Sequence, residues 1–267
     1  MQNIKNIGVI ALNTFRESVR NKILYNIVFL AIALAFFSIL LGEWSVFDRA
    51  YVIKSTTLSI MSLSGLLISV FVGIGLVQKE IQGRTVLTLL SKPISRTAFI
   101  VGKYLGLLAV VAVHLVLLTS VYYAILAWTD SNPTLSLLWA VFLIFWEMAL
   151  VVAVALLFST FSTPVLSALF TIGVYIAGRL SNELMEQVRF VRRMGEVKGT
   201  ESVVMEKAAE IVHAVFPGLY RFDISAYVVH GIALPSHYIL WNSLYAIGYI
   251  GVFLAVSSWW FSHRDFV

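Results

Sequence analysis

Apolar residues gather into six runs along the chain, near Ile23–Leu41, Leu58–Val77, Tyr104–Ala127, Leu135–Phe158, Val165–Leu180 and Tyr238–Phe261. Each is close to the ~20 residues that a helix needs to cross a hydrocarbon core of about 30 Å. The pattern predicts an all-α, polytopic membrane protein, with one transmembrane domain of six spans over residues 1–267.

The polar stretches between the runs differ in kind. In residues 1–22, plotted at 100° per residue, Ile4, Ile7, Ala11, Leu12, Phe15 and Val19 share one arc, and Lys5, Asn13, Arg16, Glu17 and Arg20 share the other. Such a helix lies in a membrane interface with its apolar arc down. This stretch has no early apolar core, so it does not read as a signal peptide. Residues 78–103 form a short connector, in which Glu80 to Ser91 has the length of three helical turns and Lys92-Pro93 stops the helix. Residues 179–236 are the one sizeable polar region. Arg179–Met194 continues the fifth run as a charged amphipathic helix, and Gly195 and Gly199 break it. A second helix over Glu201–Val215 puts Val204, Ala208, Ile211 and Val215 on one face, and Pro217-Gly218 turns the chain. The balanced charge of this region suits a salt-bridged cap over the spans, a docking surface or a solvated face.

Charge orients the plan. Residues 1–22 hold four Lys/Arg and one acid; the 78–103 connector holds five (Lys79, Arg84, Lys92, Arg96, Lys103) and one, Glu80. The 43–54 loop holds two of each, and 179–236 seven of each. The positive-inside rule therefore places both termini and the connector in the cytoplasm, and 179–236 outside. Trp44, Trp128, Trp241, Trp259 and Trp260 fall at span ends, where amphipathic rings prefer to sit.

Composition agrees: 60% of residues are hydrophobic and 12% charged, where a soluble domain carries about 25% charged residues. The absence of cysteine excludes a disulfide framework and any thiolate site. No phosphate-binding G-x-x-x-x-G-K-[ST], no HExxH and no nucleophile elbow occurs, and the five histidines lack metal-ligand spacing. Catalysis, a metal and a cofactor are therefore not expected in this chain. The net charge of +5 suits anionic lipid better than nucleic acid.

Two further patterns bear on mechanism. Gly65, Ser69 and Gly73 in the second run, and Gly102 and Gly106 at the start of the third, let backbones approach closely, within the chain first and between two copies second. His114 and Glu147 lie near the middle of the third and fourth runs, where ionisable groups are costly and face a bundle interior. The short Trp128–Thr134 loop makes these runs neighbours, so His114 and Glu147 are expected to pair, either as a switch or translocation site or as a structural clip.

The order Glu80, Gly83, Leu89-Leu90-Ser91, Pro93, Ser95-Arg96, Gly102-Lys103 resembles the coupling segment of ABC-2 type permeases, the membrane subunits of one class of ABC exporters. The run WEMALVVAVALLFSTFSTP and Leu219–Asp223 are similar to the subgroup associated with multicopper enzyme maturation. The resemblance implies an elbow helix over residues 1–22 and a cytoplasmic coupling helix. Contacts to the ATPase would come from Glu80, Gly83, Arg84, Leu89, Leu90, Lys92, Pro93 and Arg96. It implies two cytoplasmic ABC ATPase subunits that carry the ATP and Mg, a second permease copy or related chain, and the cytoplasmic (inner) membrane of a bacterium or archaeon. Three other functions compete with ATP-driven export. A non-transporting anchor would relay an ATPase cycle to a periplasmic partner through residues 179–236. An integral membrane enzyme finds no motif, and a proton-coupled secondary transporter lacks a repeated half.

Overall fold

The computed structural model describes residues 2–45, 48–82, 95–129, 131, 134–194, 200–232 and 234–263. Among these residues the chain is helical, with no strand. Helix α1 is Gln2–Val19, α2 Lys22–Trp44 and α3 Arg49–Leu67. A π-helical turn, Ile68–Val72, joins α3 to α4, Gly73–Gln82. Then follow α5 Arg96–Trp128, α6 Ser136–Phe161, α7 Pro164–Met194 and α8 Thr200–Val215. A 3-10 turn, Leu219–Phe222, and the short α9, Ser225–Val229, lead to α10, Ser236–Ser262.

Among the described residues, six helices are long and apolar enough to cross a membrane: Lys22–Trp44, Arg49–Leu76, Arg96–Trp128, Ser136–Phe161, Pro164–Phe190 and His237–Ser262. The protein is an all-α polytopic membrane protein. Three of the spans begin where a side chain satisfies a free N–H group of the helix start. Asn21 accepts from the Ile23 amide, Asp48 from that of Ala50 and Ser95 from that of Ala98. These caps lengthen two helices beyond their apolar runs. The second span starts at Arg49, inside the stretch expected as a loop, and α5 starts at Arg96, inside the expected connector. Lys103, counted there as surface charge, is 1% exposed.

Helix α6 is the axis of the bundle. Every residue from Glu147 to Leu156 is buried, which matches a sequence that is apolar on all faces. The second span, α5, α7 and α10 pack around it. Close approach is set by the small residues singled out above. A Cβ on Gly65 would lie 2.8 Å from Met148 Cγ, one on Gly102 2.7 Å from Ile10 Cβ, and one on Gly106 2.6 Å from the Ala11 carbonyl oxygen.

The seat of α1 is therefore α5. Its covered residues are Ile10, Thr14 and Ser18, whose hydroxyls bond back to the Ile10 and Thr14 carbonyls at 2.8 and 2.7 Å. Leu12, from the expected apolar arc, stays exposed, as does Val9. The five tryptophans at span ends, Trp44, Trp128, Trp241, Trp259 and Trp260, are also exposed, as rings at an interface should be.

By the alternation of spans, α8, the 3-10 turn and α9 lie at the end of the bundle remote from α1. Helix α8 packs on α7; Ala209 is buried, while Ala208, Ile211 and Val215 of the apolar face are exposed. The side chain of Val204 lies outside the described residues. The next segment turns inward: Leu219, Phe222 and Ile224 are buried. It is pinned to α7 and α10, since a Cβ on Gly178 would meet the Pro217 carbonyl oxygen at 2.5 Å. On the α10 side, the Gly218 amide donates to Tyr245 Oη at 2.9 Å, and Tyr238 Oη donates to the Arg221 carbonyl at 2.8 Å. Of the readings of residues 179–236, this part follows the cap.

Candidate functional site: a buried ionic junction and a hinge clamp

Glu147 sits near the middle of α6, and its side chain is 0% exposed. A carboxylate there needs partners, because no water is available to it. Arg179 from α7 supplies them. Its Nε donates to Glu147 Oε1 at 2.8 Å and its Nη2 to Oε2 at 3.1 Å, the two-pronged geometry that suits guanidinium to carboxylate. Ser62 on α3 donates to Glu147 Oε2 at 3.1 Å and accepts from Arg179 Nη2 at 2.9 Å. With the Ser62 hydrogen committed to the carboxylate, Tyr175 Oη is the donor in its 3.1 Å contact with Ser62 Oγ. Three spans thus meet in one fully bonded polar cluster.

The junction opens toward the remote end. Arg179 Nη1 donates to Asp223 Oδ2 at 2.7 Å, and the side chains of Arg179 and Asp223 are 25% and 38% exposed. Asp223 in turn accepts from the Ser225 amide at 3.1 Å, which fixes the start of α9. A cavity of about 20 Å³ beside Arg179, Asp223 and Ser225 has room for one water. One guanidinium therefore links a membrane-buried carboxylate to a carboxylate on the cap.

His114 is not part of this cluster. Its Nε2 meets Ser64 Oγ at 2.8 Å and its Nδ1 has no hydrogen-bond partner among the described residues. The expected His114–Glu147 pair is overturned: each residue bonds a serine of α3, and the charge partner of Glu147 comes from α7. Arg179 was missed because it stands at the edge of the fifth apolar run, where a basic residue reads as a loop charge. The signal available was an arginine between Gly178 and Leu180, on the span that follows the one bearing a lone acid.

At the α1 end, Gln78 on α4 is buried, and its side-chain amide donates to the carbonyls of Ser159 and Ser162 at 3.0 and 2.6 Å. These carbonyls belong to the last turn and C-cap of α6, where helix acceptors lack backbone partners. Gln78 thus clamps the uncharged hinge between α6 and α7. Of the residues expected to couple to an ATPase, Glu80 lies on α4, with its side chain outside the described residues. Gly83, Arg84, Leu89, Leu90, Lys92 and Pro93 also fall outside them. Arg96 opens α5 and donates to the Phe261 and Ser262 carbonyls at 2.8 and 3.0 Å, at the end of α10. Among the described residues no group of His, Asp and Glu could hold a metal ion.

A family model described as a membrane protein of 12 TMs matches residues 18–266. The chain belongs to this family. The match spans all six membrane-crossing helices and both polar clusters, so the junction and the clamp lie within the family's extent. The six candidate spans are half the number in the family's description. No curated protein matches the chain.

Proposed function

We propose that the chain is the membrane subunit of an ATP-driven exporter of ABC-2 type, coupled to a separate cytoplasmic ATPase through residues 78–103. The observation that carries this reading is the Gln78 clamp. Two residues before Glu80, the chain grips the α6–α7 hinge through two hydrogen bonds. A push on the connector would therefore be felt by the two helices that hold Glu147 and Arg179. The ionic junction gives those helices a discrete arrangement to leave and return to. Packed interfaces of this kind switch between states rather than deform continuously. Two copies of six spans would supply the twelve of the family's description, with ATP and Mg carried by two ATPase subunits, and both termini in the cytoplasm.

A second reading has its own support. Arg179 reaches Asp223 on the cap, so the same cycle could be relayed to a partner outside the membrane without moving a solute. Purification of the tagged chain from its own membrane separates the readings. Export predicts an ATP-hydrolysing subunit at equal stoichiometry, lost on Glu80→Lys, and solute movement in proteoliposomes. Relay predicts the same ATPase without solute movement. A chain that purifies free of any ATPase, unchanged by Glu80→Lys, would refute both.

A further inference from the structure

A cleft of about 890 Å³ lies at the α1 end, between α1, the start of α2 and the second span. Its mouth is basic: Arg16 and Arg20, one turn apart, and Lys22 at the first position of α2, against the single acid Glu17. All three bases are exposed. Among the described residues, none of the three has an ion pair or a side-chain hydrogen bond. The N-terminus of α2 opens into the same mouth and adds its partial positive charge.

The floor is different in kind. Ile23 and Phe71 line it and are exposed, and both belong to membrane-crossing helices. The cleft therefore grades from three cations at the membrane surface to open apolar side chains one step deeper. A free phosphate would use only the upper half. We propose that this cleft binds an anionic phospholipid, with the phosphodiester held by Arg16, Arg20 and Lys22 and the acyl chains running over Ile23 and Phe71. The site is independent of whether the protein exports a solute or relays a signal. Its effect is to fix α1 and α2 to one leaflet through a shared ligand.

The test uses the full chain in neutral detergent, supplied with phosphatidylglycerol, phosphatidylcholine or inorganic phosphate. Bound lipid is counted by native mass spectrometry and thermal unfolding is followed in parallel. Phosphatidylglycerol is expected to be retained and to raise the unfolding temperature, while the other two do neither. Arg20→Gln should weaken retention about fivefold, and the triple change Arg16→Gln, Arg20→Gln, Lys22→Gln about a hundredfold, as a basic residue near a lipid surface contributes. Lys5→Gln, on α1 but outside the cleft, should leave retention unchanged. Equal retention of phosphatidylcholine, equal protection by inorganic phosphate, or a folded triple variant with the original preference would each overturn the proposal. The comparison of ligands on the unaltered chain decides the matter even where a variant misfolds.

Discussion

Arg179 holds Glu147 through two hydrogen bonds of 2.8 and 3.1 Å, across the seam between α7 and α6. Arg179 also reaches Asp223, at 2.7 Å, but Glu147 has no second cation among the described residues. Glu147→Ala would strip the guanidinium of its buried carboxylate and leave it only the part-exposed Asp223, a loss of up to about 3–5 kcal/mol for a broken buried pair. Glu147→Gln keeps an acceptor and should be milder. In a double-mutant cycle, Glu147→Leu with Arg179→Leu should cost less than the sum of the singles. Chemical or thermal unfolding in detergent measures all of these, and additive effects would mean that the pair is not coupled.

The hinge clamp makes a separate prediction. Gln78→Leu keeps the volume but removes both donors from the Ser159 and Ser162 carbonyls, so stability should fall by about 1–3 kcal/mol. Gln78→Glu should fare no better, because a carboxylate cannot donate to a carbonyl. Hydrogen exchange should localise the loosening to the α6–α7 hinge. An exchange pattern unchanged there would show that the clamp is dispensable.

Gly178 tests the cap. An alanine methyl there would be 2.5 Å from the backbone oxygen of Pro217, and backbone cannot step aside as a side chain can. The 217–224 turn should lift from α7 at a cost of about 1–3 kcal/mol. Because the chain has no cysteine, a single Phe222→Cys reports on this directly. It should resist a thiol reagent in the parent chain and react quickly beside Gly178→Ala.

Orientation is open to the same chemistry. Ser202→Cys, on α8, should react with a membrane-impermeant reagent on intact cells. Reaction only after lysis would invert the assignment of sides made from the Lys/Arg counts.

How much of this was legible in the sequence follows from what fixes each feature. The six spans were visible because apolar length is a property of the sequence alone, and the glycine seats because a missing side chain is local. The rotation of each span about its own axis was not. Helix α6 is apolar on every face, so nothing in its pattern says which way Glu147 points, and adjacency in the chain favoured His114. The true partner, Arg179, comes from the next helix, and the serines that complete both sites come from α3. Nor does the apolar stripe of α8 say what it faces: Ala208, Ile211 and Val215 are exposed, while Ala209 is buried. The π turn at Ile68–Val72 left no mark in the sequence, since Ile-Ser-Val-Phe-Val suits an ordinary helix as well.

The seat of α1 has a consequence for biogenesis. Ile10 and Thr14 rest on Gly102 and Gly106, which leave the ribosome long after α1 itself. Until the third span has been threaded into the bilayer, α1 has no protein surface to occupy. The lipid interface must hold it meanwhile, and its exposed residues, Val9 and Leu12, suit that waiting position. A stalled nascent chain ending before residue 96 should therefore carry α1 as a membrane-bound but undocked helix, open to cleavage by a protease that the finished protein resists.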